Sequence, residues 1–311
     1  MKVVVTGATG FIGQKLVPLL VARGDEVVVL SRDAAQARAK LGAGVTAVTA
    51  DLQTKGPWTD ALAGAGAVVH LAGESVAARR WDARQKQVIR DSRVETTRAL
   101  VEAIAARPAG ERPAALICSS GTDYYPFADP ALGDDEDVTE KDPPGESFLA
   151  RVCRDWEAEA RAAEPLGVRV VLMRTGLVLG GGGGLTKMTT PFKLFAGGPI
   201  GSGRQWVSWM HRDDAAAAYV AAVHDERYRG PINLVTDSIR GKAFARLLGA
   251  ALHRPSWLPV PAFAVKLAAG ELAEYILHGR RVVPGKLREL GFTWKYPDPE
   301  AALAAALAES A

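Results

Sequence analysis

The sequence predicts an α/β protein with a doubly wound parallel sheet and a small C-terminal lobe. A glycine-rich turn joins an apolar strand to an amphipathic helix at the start of the chain. Further apolar runs of strand length recur, and helical patterns separate them, as expected for parallel strands joined by crossover helices. With 311 residues and 48% hydrophobic side chains, the chain is long enough for one large domain and a smaller lobe.

The first element is a strand, Val3–Val5, that leads into the turn Thr-Gly-Ala-Thr-Gly-Phe-Ile-Gly at residues 6–13. We expect Gly7 to allow the tight turn, Gly10 the close approach of a pyrophosphate, and Gly13 the packing of the helix on the strand. The helix N-terminus adds partial positive charge. The turn predicts a dinucleotide site, and a plain αβ turn without a ligand is the alternative. The residues assigned to the cofactor here are Gly7, Thr9, Gly10, Phe11, Ile12 and Gly13.

Composition and charge favour small-molecule partners. The net charge of +3 is spread along the chain without a Lys/Arg block, so neither nucleic acid nor a membrane surface is expected as a partner. The N-terminus lacks the apolar stretch of a signal peptide, and no run of about 18 apolar residues occurs, so we predict a cytoplasmic protein. Cys118 and Cys153 lie among apolar residues without metal-ligand spacing, which predicts buried, reduced thiols and no metal site.

The spacing Gly-x-x-Gly-x-x-Gly, with Thr6 before it, resembles the extended short-chain dehydrogenase/reductase superfamily. Two later segments narrow the resemblance: residues 90–97, in which Arg93 stands where the superfamily has Asn, and the run Gly-Gly-Pro-Ile-Gly-Ser-Gly-Arg-Gln-Trp-Val-Ser-Trp-Met-His-Arg-Asp-Asp at residues 197–214. Both are similar to the branch of NAD(P)-dependent nucleoside-diphosphate-sugar epimerase-like proteins. The resemblance spans residues 3–297. It implies a Rossmann sheet, an NAD(P) cofactor and a position for Arg93 at that cofactor.

The second strand, residues 26–30, ends at Ser31 and Arg32. Folds of this type that bind NAD place an acidic residue in this turn, where it holds the ribose hydroxyls and would repel a 2′-phosphate. A serine and an arginine can bind that phosphate instead. We therefore predict NADP as the cofactor, with NAD as the alternative, although a solvated loop arginine would give the same sequence.

The third and fourth strands, residues 45–49 and 67–70, end in further candidate contacts. The resemblance assigns Asp51 to the adenine amino group, but an aspartate after a strand is also ordinary turn chemistry. It also places the Leu-Ala-Gly segment after the fourth strand under the nicotinamide ribose. His70 has apolar neighbours, so we expect a buried strand residue and not a base. The other residues assigned here are Leu52, Leu71, Ala72 and Gly73 to the cofactor and Glu74 to the substrate.

A single helix is predicted over residues 81–106, and the strand after it, residues 114–118, delivers the candidate catalytic groups. Open parallel sheets present such groups at the carboxyl ends of their strands. By resemblance, Ser120 matches the catalytic serine of the superfamily. We assign Tyr124 or Tyr125 as the proton donor, with a pKa near the reference value of about 10, because no lysine lies close in sequence.

On the helix that follows, members of the superfamily carry Tyr-x-x-x-Lys, in which the tyrosine transfers a proton and the lysine lowers its pKa. Aligned on Glu157, this chain has Phe148 and Val152 at these positions. Neither side chain can transfer a proton, so the usual mechanism of the superfamily does not carry over.

The remaining motifs concern the C-terminal half. We expect a solvated surface loop at residues 134–137 and a mobile loop at Gly180–Gly184. A second candidate site combines hydrogen-bond donors with aromatic plates and suits an anionic ligand that carries a ring, with a turn packed by tryptophans as the alternative. The residues of this site are Arg204, Gln205, Trp206 and Trp209.

The end of the chain predicts one more strand at residues 230–235 and helices at residues 242–252 and 261–277. The cations after them form either a phosphate clamp or a solvated face. These cations are Arg280, Arg281 and Lys286. The predicted Rossmann domain covers residues 1–178 and is completed by about 205–236; the predicted substrate-binding lobe covers 179–204 and 237–311.

Taken with the resemblance, these motifs predict an NADP(H)-binding, epimerase-like oxidoreductase for a small substrate that is anionic or nucleotide-linked. The expected assembly is a monomer or a homodimer. The alternative is a non-catalytic NADP(H)-binding redox sensor or scaffold. The absence of Tyr and Lys at 148 and 152 favours the sensor, whereas Ser120 and the two tyrosines near it favour an enzyme.

Overall fold

The computed structural model describes residues 1–54, 56–127 and 135–309. Its strands in chain order are β1 (Lys2–Thr6), β2 (Glu26–Ser31), β3 (Val45–Thr49), β4 (Ala67–His70), β5 (Ala115–Gly121), β6 (Asp137–Val138), β7 (Arg169–Thr175), β8 (Leu177–Leu179), β9 (Trp206–His211), β10 (Gly230–Leu234), β11 (Asp237–Arg240) and β12 (Arg281–Val282). Its helices are α1 (Gly13–Ala22), α2 (Ala34–Leu41), α3 (Ala83–Asp91), α4 (Val94–Ala105), α5 (Phe148–Arg161), α6 (Gly183–Lys193), α7 (Arg212–His224), α8 (Gly241–Ala251), α9 (Ala262–Ala269), α10 (Ala273–Leu277), α11 (Gly285–Glu289) and α12 (Pro299–Ala308).

Seven strands form one parallel sheet in the order β10-β7-β5-β4-β1-β2-β3. The direction in which strands are added reverses between β1 and β4, and in open α/β sheets the ligand crevice lies at such a point, beyond the carboxyl ends of the strands. The glycine turn follows β1 at this edge. The predicted doubly wound Rossmann sheet is confirmed.

The strands are apolar throughout because both faces of the sheet are covered. Val3 and Val5 of β1 belong to the core on one face, where α1 and α7 pack. Val4, between them, belongs to the core on the other face, with α4 and α5. Alternate side chains of a strand point to opposite faces, so a strand buried on both sides shows no polar alternation in its sequence.

A smaller sheet in the order β11-β9-β8 has a separate core with α6, α8 and α12. Its β9 lies within the segment predicted to complete the Rossmann domain. Of the elements that follow, α7 packs against the large sheet and β10 is a strand of that sheet. The predicted domain boundaries themselves stay a prediction. The buried residues of the smaller core include Leu179, Leu185, Phe192, Trp209, Phe244, Leu248 and Leu303.

The helix predicted over residues 81–106 is wrong as a single element, because it is broken between α3 and α4. Asp82 accepts a hydrogen bond from the Gln85 backbone and starts α3. Arg93 begins the second helix with φ −113° and ψ −61°, and the Thr97 hydroxyl donates to its carbonyl at 2.6 Å. The break turns the Arg93 side chain toward the carboxyl edge of the sheet.

The glycine run forms the loop between β8 and α6 at residues 180–182 and the first two residues of α6. Two of its glycines, Gly181 and Gly183, lie close to neighbouring segments, and the mobility expected of the run stays a prediction. The Gly181 N–H donates to the Glu309 carboxylate at 2.9 Å, and a Cβ on Gly181 would lie 2.6 Å from the Glu309 Cβ. A Cβ on Gly183 would lie 3.2 Å from the Phe11 ring. These glycines permit close contact with neighbouring segments, and Gly183 already begins α6.

Within the described ranges, no helix is long and apolar enough to cross a membrane. Nor do the described residues include a group of three or more His, Cys, Asp or Glu side chains that could hold a metal ion. Cys118 and Cys153 are buried free thiols. Burial raises the pKa of Cys153 to about 12, so this thiol stays protonated at neutral pH.

Candidate active site

The glycine turn after β1 has the geometry expected of it at two of its three glycines. Gly7 has φ +67°, and a Cβ there would lie 2.6 Å from the Leu71 carbonyl carbon. Gly10 is exposed, and a Cβ there would meet only the Gly7 carbonyl oxygen at 3.0 Å. The role predicted for Gly13 is wrong in detail, because its missing Cβ makes room for the backbone of Ala8 in the turn and not for the strand.

The turn presents the start of α1 to the crevice without a side-chain cap. The first backbone N–H groups of a helix have no partner within the helix and can bind an anion. Phe11 contacts the glycine run and lies under the Arg212 guanidinium, whose central carbon is 4.7 Å from the ring centre. The turn is therefore held by its neighbours, and within it the Gly10 N–H donates to the Gly7 carbonyl at 2.9 Å.

A cation that the sequence analysis missed lies at this turn. Lys40, near the end of α2, donates from Nζ to the Thr9 carbonyl at 3.0 Å. Arg32 is exposed at the end of β2, and the Ser31 hydroxyl donates to the Asp33 carbonyl at 3.1 Å. Lys40 could have been found from the helical spacing, because it lies about two turns after Asp33, the residue that caps α2.

The residues at the ends of β3 and β4 differ in their exposure to solvent. Asp51 is exposed, and its carboxylate accepts from the Gln53 backbone at 3.0 Å, whereas Leu52 is buried in the core. His70 is fully buried and hydrogen-bonds through Nδ1 to the Thr6 hydroxyl at 2.7 Å. Burial lowers the pKa of His70 to about 4, so it is a neutral structural residue, as its neighbours in sequence predict.

Arg93 lies across the segment that follows β4. Its guanidinium donates to the Ile89 carbonyl at 3.0 Å, and a Cβ on Gly73 would lie 3.3 Å from its central carbon. The Trp156 ring lies 5.4 Å from the same carbon, and burial lowers the pKa of Arg93. Glu74 is held nearby, since its backbone N–H donates to the Ser92 hydroxyl at 3.0 Å. Arg93 thus forms one wall of the crevice.

Ser120 is tied to a buried ion pair. Its hydroxyl donates to Glu157 Oε1 at 2.8 Å, and only 5% of the residue is exposed. Arg174 on β7 binds both oxygens of Glu157 at 2.8 Å. Burial acts to lower the pKa of Arg174, but the hydrogen bonds and charge of Glu157 outweigh it and the pKa is raised. The ion pair fixes the orientation of the Ser120 hydroxyl at the edge of the crevice.

The two tyrosines after β5 differ in accessibility. Tyr125 is 2% exposed; its hydroxyl donates to Asn233 at 2.6 Å and accepts from Arg174 at 2.9 Å. Burial raises the pKa of Tyr125 well above its usual value, so the ordinary pKa and the donor role predicted for it are wrong. Tyr124 is half-buried, with the Arg174 guanidinium 3.5 Å above its ring.

Residues 148 and 152 are part of the apolar packing at the start of α5. The Phe148 ring meets Trp81 edge-on at 5.3 Å between ring centres. Tyr275 of α10 packs on the other side of Trp81 at 5.5 Å, and Val152 is 3% exposed. Both positions are therefore occupied by packed hydrocarbon side chains.

Asp123, which the sequence analysis did not single out, lies in the same crevice. It is half-buried in the 3-10 turn Thr122–Tyr124 that follows β5, and burial raises its pKa to about 6, while the charge of Arg93 acts to lower it. The only signal in the sequence was its place between Ser120 and Tyr124. An aspartate after a strand is too common to single out without the burial that the fold supplies.

The second candidate site is a basic cluster around one tryptophan. The Trp206 ring lies 3.9 Å from the Arg240 guanidinium carbon and 5.3 Å from that of Arg281. Trp209 is fully buried in the smaller core, so the prediction of two accessible aromatic plates is wrong. Arg204 is exposed, and Gln205 donates to the Ile200 carbonyl at 3.2 Å.

The predicted acidic loop reaches this basic cluster. Asp135 pairs with Arg240, and Asp137 lies 3.2 Å from Nε of Arg281. Asp134 lies outside the described residues. The described part of the loop is exposed, as predicted, and it also supplies ion-pair partners for the cluster.

The parallel sheet, its strand order and the glycine turn define a Rossmann protein of the extended short-chain dehydrogenase/reductase class. A model of the NAD dependent epimerase/dehydratase family matches residues 3–234, and a model of a domain of unknown function, DUF1731, matches residues 260–306. The chain belongs to the NAD dependent epimerase/dehydratase family, which confirms the resemblance found in the sequence.

Relatives match along nearly the whole chain. The chain is 40% identical over 302 residues to the epimerase family protein SDR39U1 homolog, chloroplastic, of Arabidopsis thaliana, with 95% of this chain and 84% of the relative covered. It is 35% identical over 311 residues to the epimerase family protein YfhF of Bacillus subtilis, with 99% of each covered.

Solved structures support the same fold. The human epimerase family protein SDR39U1 (isoform 2), crystallised with NADPH, superposes with a TM-score of 0.83 at 33% identity, covering 98% of this chain and 99% of that one. A UDP-glucuronic acid 4-epimerase from Bacillus cereus, in complex with UDP-glucuronic acid and NAD, gives a TM-score of 0.79 at 17% identity, with 99% and 98% covered. At that identity the second likeness concerns the fold alone.

Proposed function

We propose that the chain is an NADP(H)-binding, epimerase-like oxidoreductase for a small substrate that is anionic or nucleotide-linked. The observation that carries this proposal is the uncapped start of α1 at the glycine turn, with Lys40 at the turn and Arg32 at the end of the adjacent strand. The human relative that was crystallised with NADPH supports the same cofactor.

The residues fit a dinucleotide, and each has a place along it. The turn from Gly7 to Gly13 would hold the pyrophosphate, Arg32 and Lys40 the 2′-phosphate, and Asp51 the adenine. The segment Leu71–Gly73 with Arg93 would border the nicotinamide half. The bound nicotinamide supplies the hydride acceptor or donor.

Catalysis would proceed without the Tyr-x-x-x-Lys pair, since Phe148 and Val152 are packed hydrocarbons at its expected positions. Ser120 would accept a hydrogen bond from a hydroxyl group of the substrate, because its own hydroxyl donates to Glu157 and its lone pairs stay free to accept. Of the two tyrosines, the half-buried Tyr124 would be the one that a substrate can reach. The basic cluster of Trp206, Arg240 and Arg281 would take an anionic group of the substrate once Asp135 and Asp137 give way.

The experiment that tests this function mixes the NADPH-loaded protein with a library of nucleotide sugars and small anionic carbonyl compounds, and repeats it with NADP+ and the matching alcohols. We expect at least one compound to change the nicotinamide absorbance. If NADPH does not bind, the proposal fails at its first step.

The alternative is a non-catalytic NADP(H)-binding sensor or scaffold, which the apolar packing at residues 148 and 152 favours. Tight binding of NADPH and NADP+ combined with no hydride exchange with any compound would select this alternative.

A further inference from the structure

One carboxylate in the crevice has no hydrogen-bond partner among the described residues. Asp123 follows Ser120 by three positions, at the carboxyl end of β5. A Cβ on Gly121 would lie 3.4 Å from its Oδ2, so the carboxylate folds back over the end of the strand. In the part of the chain that the structure describes, neither a hydrogen bond nor an ion pair joins this carboxylate to another group.

Charged and titratable groups face Asp123 from the neighbouring elements. Arg93 lies at the break between α3 and α4, and its positive charge acts to lower the pKa of Asp123. Cys153 of α5 and Tyr275 of α10 each have their pKa raised in part by the charge of Asp123. Glu74 faces Arg93 from the end of β4. Arg93 is the cation among these groups, and no ion pair joins the carboxylate to a lysine or histidine of the described ranges.

We propose that Asp123 is the proton-exchanging group of the active site, placed beside the nicotinamide in the absence of the tyrosine and lysine. The inference rests on the proposed function. When the substrate carbon gives up a hydride to the cofactor, its hydroxyl oxygen must lose a proton. That proton goes to the Asp123 carboxylate and an alcohol becomes a carbonyl; in the reverse direction Asp123 returns the proton to the oxygen.

Three features of the site suit this role. The carboxylate is half-buried and unpaired, so it can accept a hydrogen bond from a substrate. A pKa near 6 lets it take and give a proton close to neutral pH, unlike a free aspartate or the buried Tyr125. Ser120 lies at the same strand end, three positions before Asp123.

If Asp123 lies beside the nicotinamide, its charge affects the binding of NADP+ and NADPH, and this effect can be measured without a substrate. The oxidised ring carries a positive charge and the reduced ring does not, so an ionised Asp123 favours NADP+ over NADPH. Protonation removes that preference. The ratio of the dissociation constants of NADPH and NADP+ must then rise with pH as Asp123 ionises. The 2′-phosphate also titrates in this range, but it is common to both ligands and cancels in the ratio.

The test is calorimetry with NADP+ and NADPH at about pH 5 and about pH 7.5. In the wild type we expect the ratio of dissociation constants to rise about five- to tenfold over this interval. In Asp123→Asn it should stay at the low-pH value, because the amide mimics the protonated carboxyl. Asp60→Asn, which removes an exposed carboxylate away from the crevice, should behave as the wild type.

A second measurement does not depend on the variant folding. Carboxyl-carbon NMR of the aspartates in the wild-type protein should show one group that titrates near pH 6 and whose pKa falls when NADP+ is added. If both dinucleotides bind and the ratio is independent of pH, or if Asp123→Asn keeps the pH dependence, the inference is overturned while the proposed function stands. If neither dinucleotide binds, the proposed function fails and the inference with it.

Discussion

Two glycines of one turn are subject to different constraints. Gly7 needs its positive φ and the close approach of the Leu71 backbone, whereas Gly10 adopts an ordinary φ and faces open space apart from one carbonyl. Sequence spacing gives both glycines the same weight. The structure shows that the fold itself requires a glycine at position 7, whereas a Cβ at position 10 would meet only one carbonyl oxygen.

We expect Gly10→Val to abolish NADPH binding and leave the protein folded, because the branched side chain would occupy the space assigned to the pyrophosphate. Gly7→Val is the matched control, and it should lower stability because its Cβ would clash with the backbone at 2.6 Å. Circular dichroism reports folding and calorimetry reports binding. Normal NADPH affinity in a folded Gly10→Val protein would exclude this turn as the phosphate site.

The preference for NADP(H) over NAD(H) should depend on Arg32 and Lys40. A charge-assisted hydrogen bond to the 2′-phosphate contributes about 1.5 to 3 kcal/mol, which is about tenfold to a hundredfold in affinity. Arg32→Ala and Lys40→Ala should each weaken NADPH binding within this range and leave NADH binding unchanged. Arg23→Ala, at the other end of α1, is the control. Equal affinity of the parent protein for NADPH and NADH would contradict the assignment.

Asp123 should also destabilise the folded protein at neutral pH. Its pKa is about 6 in the folded state against a reference of 3.8, so the folded state binds more protons between these values. Stability from this group is therefore present at low pH and lost as the pH rises from about 4 to about 6. Asp123→Asn should raise the melting temperature at about pH 7.5, by about 2 to 4 °C per kcal/mol removed, and have little effect near pH 4. A lower melting temperature of the variant at both pH values would contradict this.

At the scale of elements, the Arg174–Glu157 pair joins β7 to α5 and orients Ser120. Each side chain is at most 5% exposed, so removing one partner leaves a buried charge. Arg174→Met should cost about 3 to 5 kcal/mol in the free energy of unfolding measured with urea. Arg98→Met breaks an exposed pair with Glu159 and should cost less than about 1 kcal/mol. Similar costs for the two variants would mean that water reaches the buried pair.

The break between α3 and α4 illustrates why element boundaries escape a sequence pattern. Ile89 before the break and Val94 after it are both buried, so the apolar spacing continues across Ser92 and Arg93. The functional consequence of the break, an arginine laid over Gly73, depends on β4 lying next to it. That proximity comes from tertiary packing and cannot be predicted from the local periodicity of the sequence.

The same reasoning explains which site residues could be assigned from the sequence. Ser120 and Gly7 are placed by strand ends, which the apolar runs mark clearly. Whether Tyr125 or Trp209 is accessible depends on Asn233 and on the smaller core, both distant in sequence. The acidic loop is another example, because Asp135 contacts Arg240, which is 105 positions away in the sequence.

At the scale of the whole molecule, Glu309 joins three segments that are distant in sequence. Its carboxylate lies 2.6 Å from Lys15 of α1 and 2.6 Å from Arg212 of α7, and it accepts from the Gly181 backbone at 2.9 Å. Glu309→Ala should lower the melting temperature by a few degrees at low salt, and the difference should shrink at about 1 M salt, where charges are screened. Glu111→Ala, which removes a half-exposed carboxylate, is the control. A difference that does not change with salt would mean that packing, and not charge, is lost.

The contact between Lys15 and Glu309 spans 294 positions of the chain. A ribosome that adds about 5 to 20 residues per second makes the second partner roughly 15 to 60 s after the first. For that interval α1 must stay attached to the sheet without this contact, through its apolar face and, once Asp213 has been made, through the pair of Lys15 with Asp213. The glycine run lacks its contact with Glu309 during the same interval. The nascent protein can therefore form this contact only after Glu309 has been synthesised.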